Sequence, residues 1–293
     1  MEHMTARVSC FSRAYHYRNN QTWIFRDDFA EKILGEEEYC AIAESMAQGV
    51  QFFAPGFRGN QEQAIRLVVD YHLSPSVLGR SAFNEMHLKN EIRLGAKQYV
   101  LFAAGYDTYA FRNSAEHLAI YELDLPQMIE DKLRREKRSG LEAPANRVMV
   151  PCDLSESSWK ESLIQQGFRS DIKSFGSLLG ISYYLDKVSF ARLMSNISDL
   201  FCKGSAICFD YPVKSPSAEM EKTELLAKGA NEEMKAKYEY EEMERLLAEH
   251  DFLVYEHLDA GEMTRQYFEE YNGKAGASMS APNGVEYILA VKK

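Results

Sequence analysis

Two regimes of apolar spacing divide the chain near residue 90. Before that point apolar positions recur at helical intervals, as in Phe29–Leu34 and Ala64–Leu73, with polar residues between them. The stretch Phe52–Asn60 interrupts this rhythm with glycine, proline and aromatic residues and reads as a loop. Its Phe52, Phe53 and Phe57 either anchor packing or line a pocket. Residues 1–90 are therefore expected to form a helical N-terminal cap. From Gln98 onward short β-like runs alternate with longer helical ones. Strands are expected at Tyr99–Ala104, Ala119–Leu123, Val148–Val150, Ser174–Ile181 and Ala206–Tyr211, and helices at Gln127–Arg138, Trp159–Gln166 and Lys187–Cys202. Such alternation predicts a parallel sheet covered on both faces, with right-handed crossovers. The charged stretch Ser215–Glu249 reads as a helical insert. Two late strands follow, Phe252–Leu258 and Val285–Val291, joined without a helix by a loop holding Tyr267, Tyr271 and the small-residue run Gly273–Ser280. The expected fold is α/β: a Rossmann-like, doubly wound, mostly parallel sheet with an antiparallel C-terminal edge hairpin. Residues 91–293 would form one compact unit with the cap.

The chemistry concentrates where the second regime begins, in QYVLFAAGYDTYAFR at Gln98–Arg112. An apolar run meets Gly105, a polar turn with Asp107 and Thr108 follows, and the next apolar run ends beside Glu122 and Asp124. Strand, tight turn, helix, strand, acid is the outline of a nucleoside site: glycine allows close backbone approach, and an acid at the second strand's tip can take ribose hydroxyls. The turn Ala103-Ala104-Gly105-Tyr106-Asp107-Thr108 holds one glycine where a dinucleotide site needs three, so a pyrophosphate fits poorly. The P-loop pattern GxxxxGK[ST] is absent as well. A cofactor with adenosine and no phosphates fits better, and S-adenosylmethionine is such a cofactor.

Composition narrows the partners. A net charge of −10 over 293 residues disfavours nucleic acid and anionic membrane. Five scattered cysteines without CxxC spacing argue against a disulfide framework or a zinc site, and seven histidines without HxxxH or HExxH spacing give no metal site. The N-terminus lacks an apolar signal core and the chain lacks a run of 18 apolar residues, so a cytoplasmic location is expected.

Further segments carry a family resemblance. Thr5-Ala6-Arg7, Arg13-Ala14, Arg80, GAKQYVLFAAGYDTYAFR at 95–112, YELDLPQMIEDK at 121–132, VPCDL at 150–154, GISYYL at 180–185 and FDYP at 209–212 occur in the order seen in the leucine carboxyl methyltransferase family. The chain resembles that family, including its bacterial polyketide-tailoring O-methyltransferase branch, from about Thr5 to Tyr211. The resemblance implies a class I S-adenosylmethionine-dependent methyltransferase. It implies that Arg80 pairs with the cofactor α-carboxylate, for which a guanidinium fork is suited; its plain alternative is a surface or inter-helix salt bridge. Ala103, Ala104 and Gly105 would underlie the methionine part, and Asp124, with Glu122 as the less favoured neighbour, would take the ribose. Asp153 would accept from the adenine amine while Leu154 packs on the ring. Residues at Leu179 and Gly180 would border the cofactor near the fourth strand. Each acid has a plain alternative role at a strand end or helix start. The chain also departs from the family: its first turn glycine is Ala103 here, the arginine after DT is Tyr109, and the glutamate before the fourth strand's glycine is Leu179. A backbone carbonyl near Leu179 or Gly180 would then have to receive the cofactor ammonium.

Methyl transfer from a sulfonium asks for placement of the nucleophile and exclusion of water. A carboxylate acceptor is already ionised; a hydroxyl needs a base, for which His16, His72 and His87 are candidates by their place in the cap alone, with an ordinary structural role as the alternative for each. Tyr183 and Tyr184 follow the fourth strand and either bound the acceptor pocket or start a helix. The expected activity is O-methylation of a carboxylate or hydroxyl on a small-molecule or carboxyl-terminal acceptor. The competing readings are a family member that binds cofactor or partner without turnover, motivated by Leu179, and a nicotinamide oxidoreductase, against which the single turn glycine argues.

Overall fold

Seven strands lie in one sheet of the computed structural model, which describes residues 4–112, 115, 117–214 and 234–293. They are β1 (Gln98–Phe102), β2 (Ala119–Asp124), β3 (Arg147–Pro151), β4 (Ser174–Leu178), β5 (Ala206–Pro212), β6 (Phe252–Leu258) and β7 (Val285–Lys292). Their spatial order is β3-β2-β1-β4-β5-β7-β6. The first five pair in parallel, and β7 runs antiparallel between β5 and β6. Every residue of β1, β4 and β5 is buried, as strands covered on both faces require. The strand order reverses at β1 and β4. An open α/β sheet leaves a crevice at such a switch point, outside the carboxyl ends of the strands.

Helices α1 (Met4–Asn19), α2 (Ala30–Leu34), α3 (Glu36–Gln48), α4 (Val50–Phe53), α5 (Gln61–Val68) and α6 (Ser74–Arg93) precede the sheet. The expected loop at 52–60 is a helical turn through Phe53 followed by loop. Helix α5 runs into a π turn, Val69–Leu73, and then into α6. Pro75 sits in the first turn of α6 and has no amide to donate backward, so the junction widens: Ser74 N–H reaches Val69 O. Helix α6 is fastened to the sheet by Asn84 Nδ2, which donates to Tyr99 Oη at 2.9 Å, while Tyr99 Oη also meets Ser177 Oγ at 2.9 Å. Phe83, Leu78 and Leu88 bury beside Phe175, Cys208 and Leu289 in the same apolar cluster.

Further helices among the described residues are α7 (Tyr109–Arg112), α8 (Pro126–Arg138), α9 (Trp159–Gln165), α10 (Lys187–Leu200) and α11 (Tyr240–Glu249). Of the expected helical insert, residues 215–233 lie outside the described residues. Residues 234–239 are not helical, and Tyr238 bridges Val213 before α11 begins. One expectation fails outright: β6 and β7 are joined by a helical run, Ala260–Met263, a π turn Thr264–Phe268 and Glu269–Ala275. Asp259 and Glu262 form a capping box at its start, and Gly276, at φ 61°, closes its end. The extra residue of the π turn brings Met263, Phe268 and Tyr271 onto one buried side. No helix among the described residues is long and apolar enough to cross a membrane.

Candidate cofactor and acceptor site

A cavity of about 870 Å³ opens over the carboxyl ends of β1, β2 and β4 and beneath the N-terminal helices. Its floor is the turn after β1. Ala104 N–H donates to Leu123 O at 2.9 Å, and Asp107 N–H returns to Ala104 O at 2.9 Å, closing a tight turn. Gly105 adopts φ 51°, the left-handed region that favours glycine. Ala103 adopts φ 56° with a side chain to accommodate.

Asp124 binds this turn to β2. Its Oδ2 accepts from Gly105 N at 2.7 Å and its Oδ1 accepts from Leu125 N at 2.8 Å. Ala103, Ala104, Gly105 and Asp124 all border the cavity. Behind the turn, Arg13 donates to Tyr106 O at 2.7 Å and to Asp27 Oδ2 at 2.8 Å. Asp27 is fully buried and also accepts from Thr108 Oγ1 at 2.7 Å and from the amides of Phe29 and Ala30. Burial would raise its carboxyl pKa, but Arg13 and Arg112 outweigh it and hold it below the usual carboxylate value. A carboxylate on the cap thus braces from behind the turn that Asp124 holds from β2.

Leu179, Gly180, Tyr183 and Tyr184 border the cavity on the β4 side, and Arg80 reaches it from α6. Arg80 Nη2 donates to Ser9 Oγ at 3.3 Å and Nη1 to Asp210 Oδ2 at 3.4 Å. Gly180, at φ 69°, lies flat under the guanidinium: a Cβ there would come within 2.6 Å of Arg80 Nη1. The donor set therefore suits a cofactor with a carboxylate at one end and a ribose at the other. It offers a guanidinium at one end, a carboxylate at a strand tip, and a tight backbone turn between them.

Three of the residues expected to bind the cofactor are not brought to the cavity wall, and Phe57 of the expected pocket loop is not on it either. Glu122 points into the interior and accepts from the buried Lys132 Nζ at 2.6 Å. Burial pushes its carboxyl pKa up, against the pull of Lys132 and Arg147. Asp153 is exposed just past β3, and its Oδ1 accepts from Ser155 N at 2.8 Å, a local turn. Leu154 packs against the main apolar cluster. Of the three candidate histidines, His72 borders the cavity; its ring stacks on Phe53 with centroids 4.8 Å apart. His16 is buried, accepts from Ile24 N through Nε2, and is lowered by burial to about 4. His87 packs edge-on to Phe83, with burial lowering it to about 4 as well. Neutral at pH 7 and away from the cavity wall, both rings are structural.

Other cavity residues were not singled out as site residues from the sequence: Ser9, Met46, Leu73, Val77, Ile181 and Met234. Ile181 stands inside the GISYYL segment, whereas the others are scattered over the cap and the charged stretch and share no motif that would group them.

The sequence model of the family described as leucine carboxyl methyltransferase matches residues 6–198. The chain belongs to the leucine carboxyl methyltransferase family. It is a methyltransferase of the class that uses S-adenosylmethionine as donor. It is 34% identical over 302 residues to the Bacillus subtilis strain 168 protein named "Putative S-adenosyl-L-methionine-dependent methyltransferase YktD", covering 99% of this chain and 98% of that one. A Frankia alni protein of the same description is 32% identical over 145 residues, about half of each chain (49% and 50%). Solved structures share the fold at low identity. One from Thermobifida fusca, described as a "putative methyltransferase", has a TM-score of 0.56 at 14% identity, covering 86% of this chain and 94% of its own. A Streptomyces avermitilis protein of the duf574 family reaches 0.57 at 12% identity, with 84% and 97% covered. For this methyltransferase the Rossmann-like sheet with its antiparallel edge accords with that likeness.

Proposed function

We propose that the protein methylates an oxygen of a small, largely apolar acceptor, with a carboxylate as the favoured group. The observation that carries this reading is the shape of the cavity. It is continuous from the Gly105 turn and Asp124 to an apolar chamber walled by Met46, Phe52, Phe53, Leu73, Tyr184 and Met234. At about 870 Å³ it stands near the top of the usual range for ligand pockets, roughly 300–1,000 Å³, and so has room for a donor and an acceptor together.

When bound, S-adenosylmethionine supplies an electrophilic methyl group. In this reading Arg80 holds the α-carboxylate, the Ala103–Gly105 turn supports the methionine portion, and Asp124 receives the ribose hydroxyls. The cap excludes water and holds the acceptor oxygen for in-line approach. A carboxylate is ionised at neutral pH and asks no residue for proton removal. Beyond Arg80, which is taken up by the donor and Asp210, Lys235 adds a positive charge to a wall that also carries Asp107 and Asp124. A hydroxyl acceptor would need His72 as base.

The test is a turnover screen with a panel of apolar carboxylic acids and phenols, reading S-adenosylhomocysteine release and the acceptor's gain of one methylene by mass spectrometry. A methyl ester that alkali hydrolyses is the expected product. An alkali-stable ether would assign hydroxyl chemistry. Donor binding without turnover on any acceptor would favour the binding-only alternative that Leu179 suggests.

A further inference from the structure

Asp210 lies in the middle of the β4–β5 edge of the site and borders neither solvent nor the cavity; it is fully buried on β5. A buried carboxylate is costly unless its lone pairs are met, and here three groups meet them. Gly180 N donates to Oδ1 at 2.7 Å, Tyr183 Oη donates to Oδ2 at 2.8 Å, and Arg80 Nη1 approaches Oδ2 at 3.4 Å. Those three partners come from the turn after β4, the short 3₁₀ turn that follows it, and cap helix α6. All three border the cavity. The guanidinium rests on the α-carbon of Gly180, so fixing the Gly180 amide and fixing Arg80 are one geometric act. Ser9 takes the other terminal nitrogen, Nη2, at 3.3 Å. Leu179, where the family has glutamate, brings no charge to this corner.

We propose that Asp210 is a positioning residue for the methyl donor: it aims Arg80 and the Gly180 turn at the donor's amino-acid end and has no part in gripping the adenosine. The proposal rests on the placement of that end at Arg80. It makes a selective prediction. S-Adenosylhomocysteine has the amino-acid end; 5′-methylthioadenosine keeps the adenosine and thioether and lacks it. Loss of the Asp210 charge should weaken the first and spare the second, whereas damage to the fold would weaken both.

The experiment is titration calorimetry of both compounds against the full chain carrying Asp210→Asn, Arg80→Gln, and the two together. Asp210→Asn is expected to raise the Kd of S-adenosylhomocysteine by about tenfold, the order expected for losing a hydrogen bond to a charged group. Methylthioadenosine should stay within about twofold, and Asp210→Asn should add little in the Arg80→Gln background. Equal weakening of both compounds, or no weakening of either, overturns the proposal. So does full additivity with Arg80→Gln. If Arg80→Gln alone leaves S-adenosylhomocysteine affinity intact, the placement of the amino-acid end is wrong, and the proposal falls with it for that separate reason. Should Asp210→Asn not fold, Tyr183→Phe removes one donor from the same carboxylate. It is expected to show the same selectivity at smaller amplitude, and its failure to discriminate the two compounds overturns the proposal equally.

Discussion

The Gly105 amide donates to Asp124 Oδ2 at 2.7 Å, so the acid at the tip of the second strand holds the turn at the end of the first. One carboxylate both shapes the floor of the cavity and presents itself to it. Asp124→Ala is expected to weaken donor binding by about 1–3 kcal/mol, the usual consequence of leaving polar groups without partners. Calorimetry with S-adenosylhomocysteine measures it; unchanged affinity in a folded variant removes Asp124 from the site.

Ala103 occupies a left-handed conformation, φ 56°, at the position where the family has glycine. An L side chain in that region is strained, and glycine is not. Ala103→Gly should therefore stabilise the protein by about 0.5–1 kcal/mol despite the greater freedom of glycine in the unfolded chain. Urea unfolding checks this. A lower midpoint would mean that the alanine methyl makes packing contacts worth more than the backbone strain.

Asp27 ties Arg13, Thr108 and the start of α2 together in the interior, with Arg112 3.5 Å away. Asp27→Asn keeps the shape and deletes the charge paired with the buried Arg13 guanidinium, while Arg112 keeps its two hydrogen bonds to Glu85. Stability should fall by about 3 kcal/mol or more, as breaking buried ion pairs does. The same measurement at pH 7 reads it, and a loss under about 1 kcal/mol would show that Arg13 finds another partner.

The buried histidines set a pH dependence. His16 and His87 have folded values of about 4 against an ordinary 6.5, both lowered by burial. Between those values the unfolded chain binds more protons, so the stability they confer is complete above about pH 6.5 and is lost as pH falls toward 4. From pH 7.5 to 5 the loss should be about 2 kcal/mol per ring. Asp70 works in the opposite sense: burial raises it to about 6, so it favours the folded state as pH falls through that value. Unfolding free energies measured at pH 7.5 and 5 should show the net decline, and a flat profile would mean that Asp70 and other acids offset both histidines.

His72 stacks on Phe53 at the cavity wall. For a carboxylate acceptor, His72→Gln should leave kcat within about threefold, because no proton has to be removed. A loss of about 10²–10⁴, the range for an absent general base, would assign a hydroxyl acceptor instead.

Much of the fold was readable because alternation and turn chemistry are local signals. The runs at 98–102, 119–124 and 206–212 are apolar enough to be strands, and Gly105 marks the turn by its backbone freedom alone. Roles that depend on a distant partner were not readable. Whether Glu122 or Asp124 faces the crevice is hidden by a strand buried on both sides; the answer lies in Lys132, itself buried on α8 and reaching Glu122. Asp210 stands within the FDYP segment as one more acid at a strand end, and its function becomes visible only when α6 and the β4 turn converge on it. The helical run between β6 and β7 escaped because a π turn breaks the 3.6-residue period on which helix recognition depends.

A crystal structure of the protein with S-adenosylhomocysteine tests this placement of the donor. The ribose hydroxyls should lie on Asp124, the amino-acid carboxylate on Arg80, and the thioether sulfur should turn toward the chamber bounded by Phe53 and Tyr184. A ligand bound elsewhere, or a cavity that stays empty at saturating ligand, would contradict it.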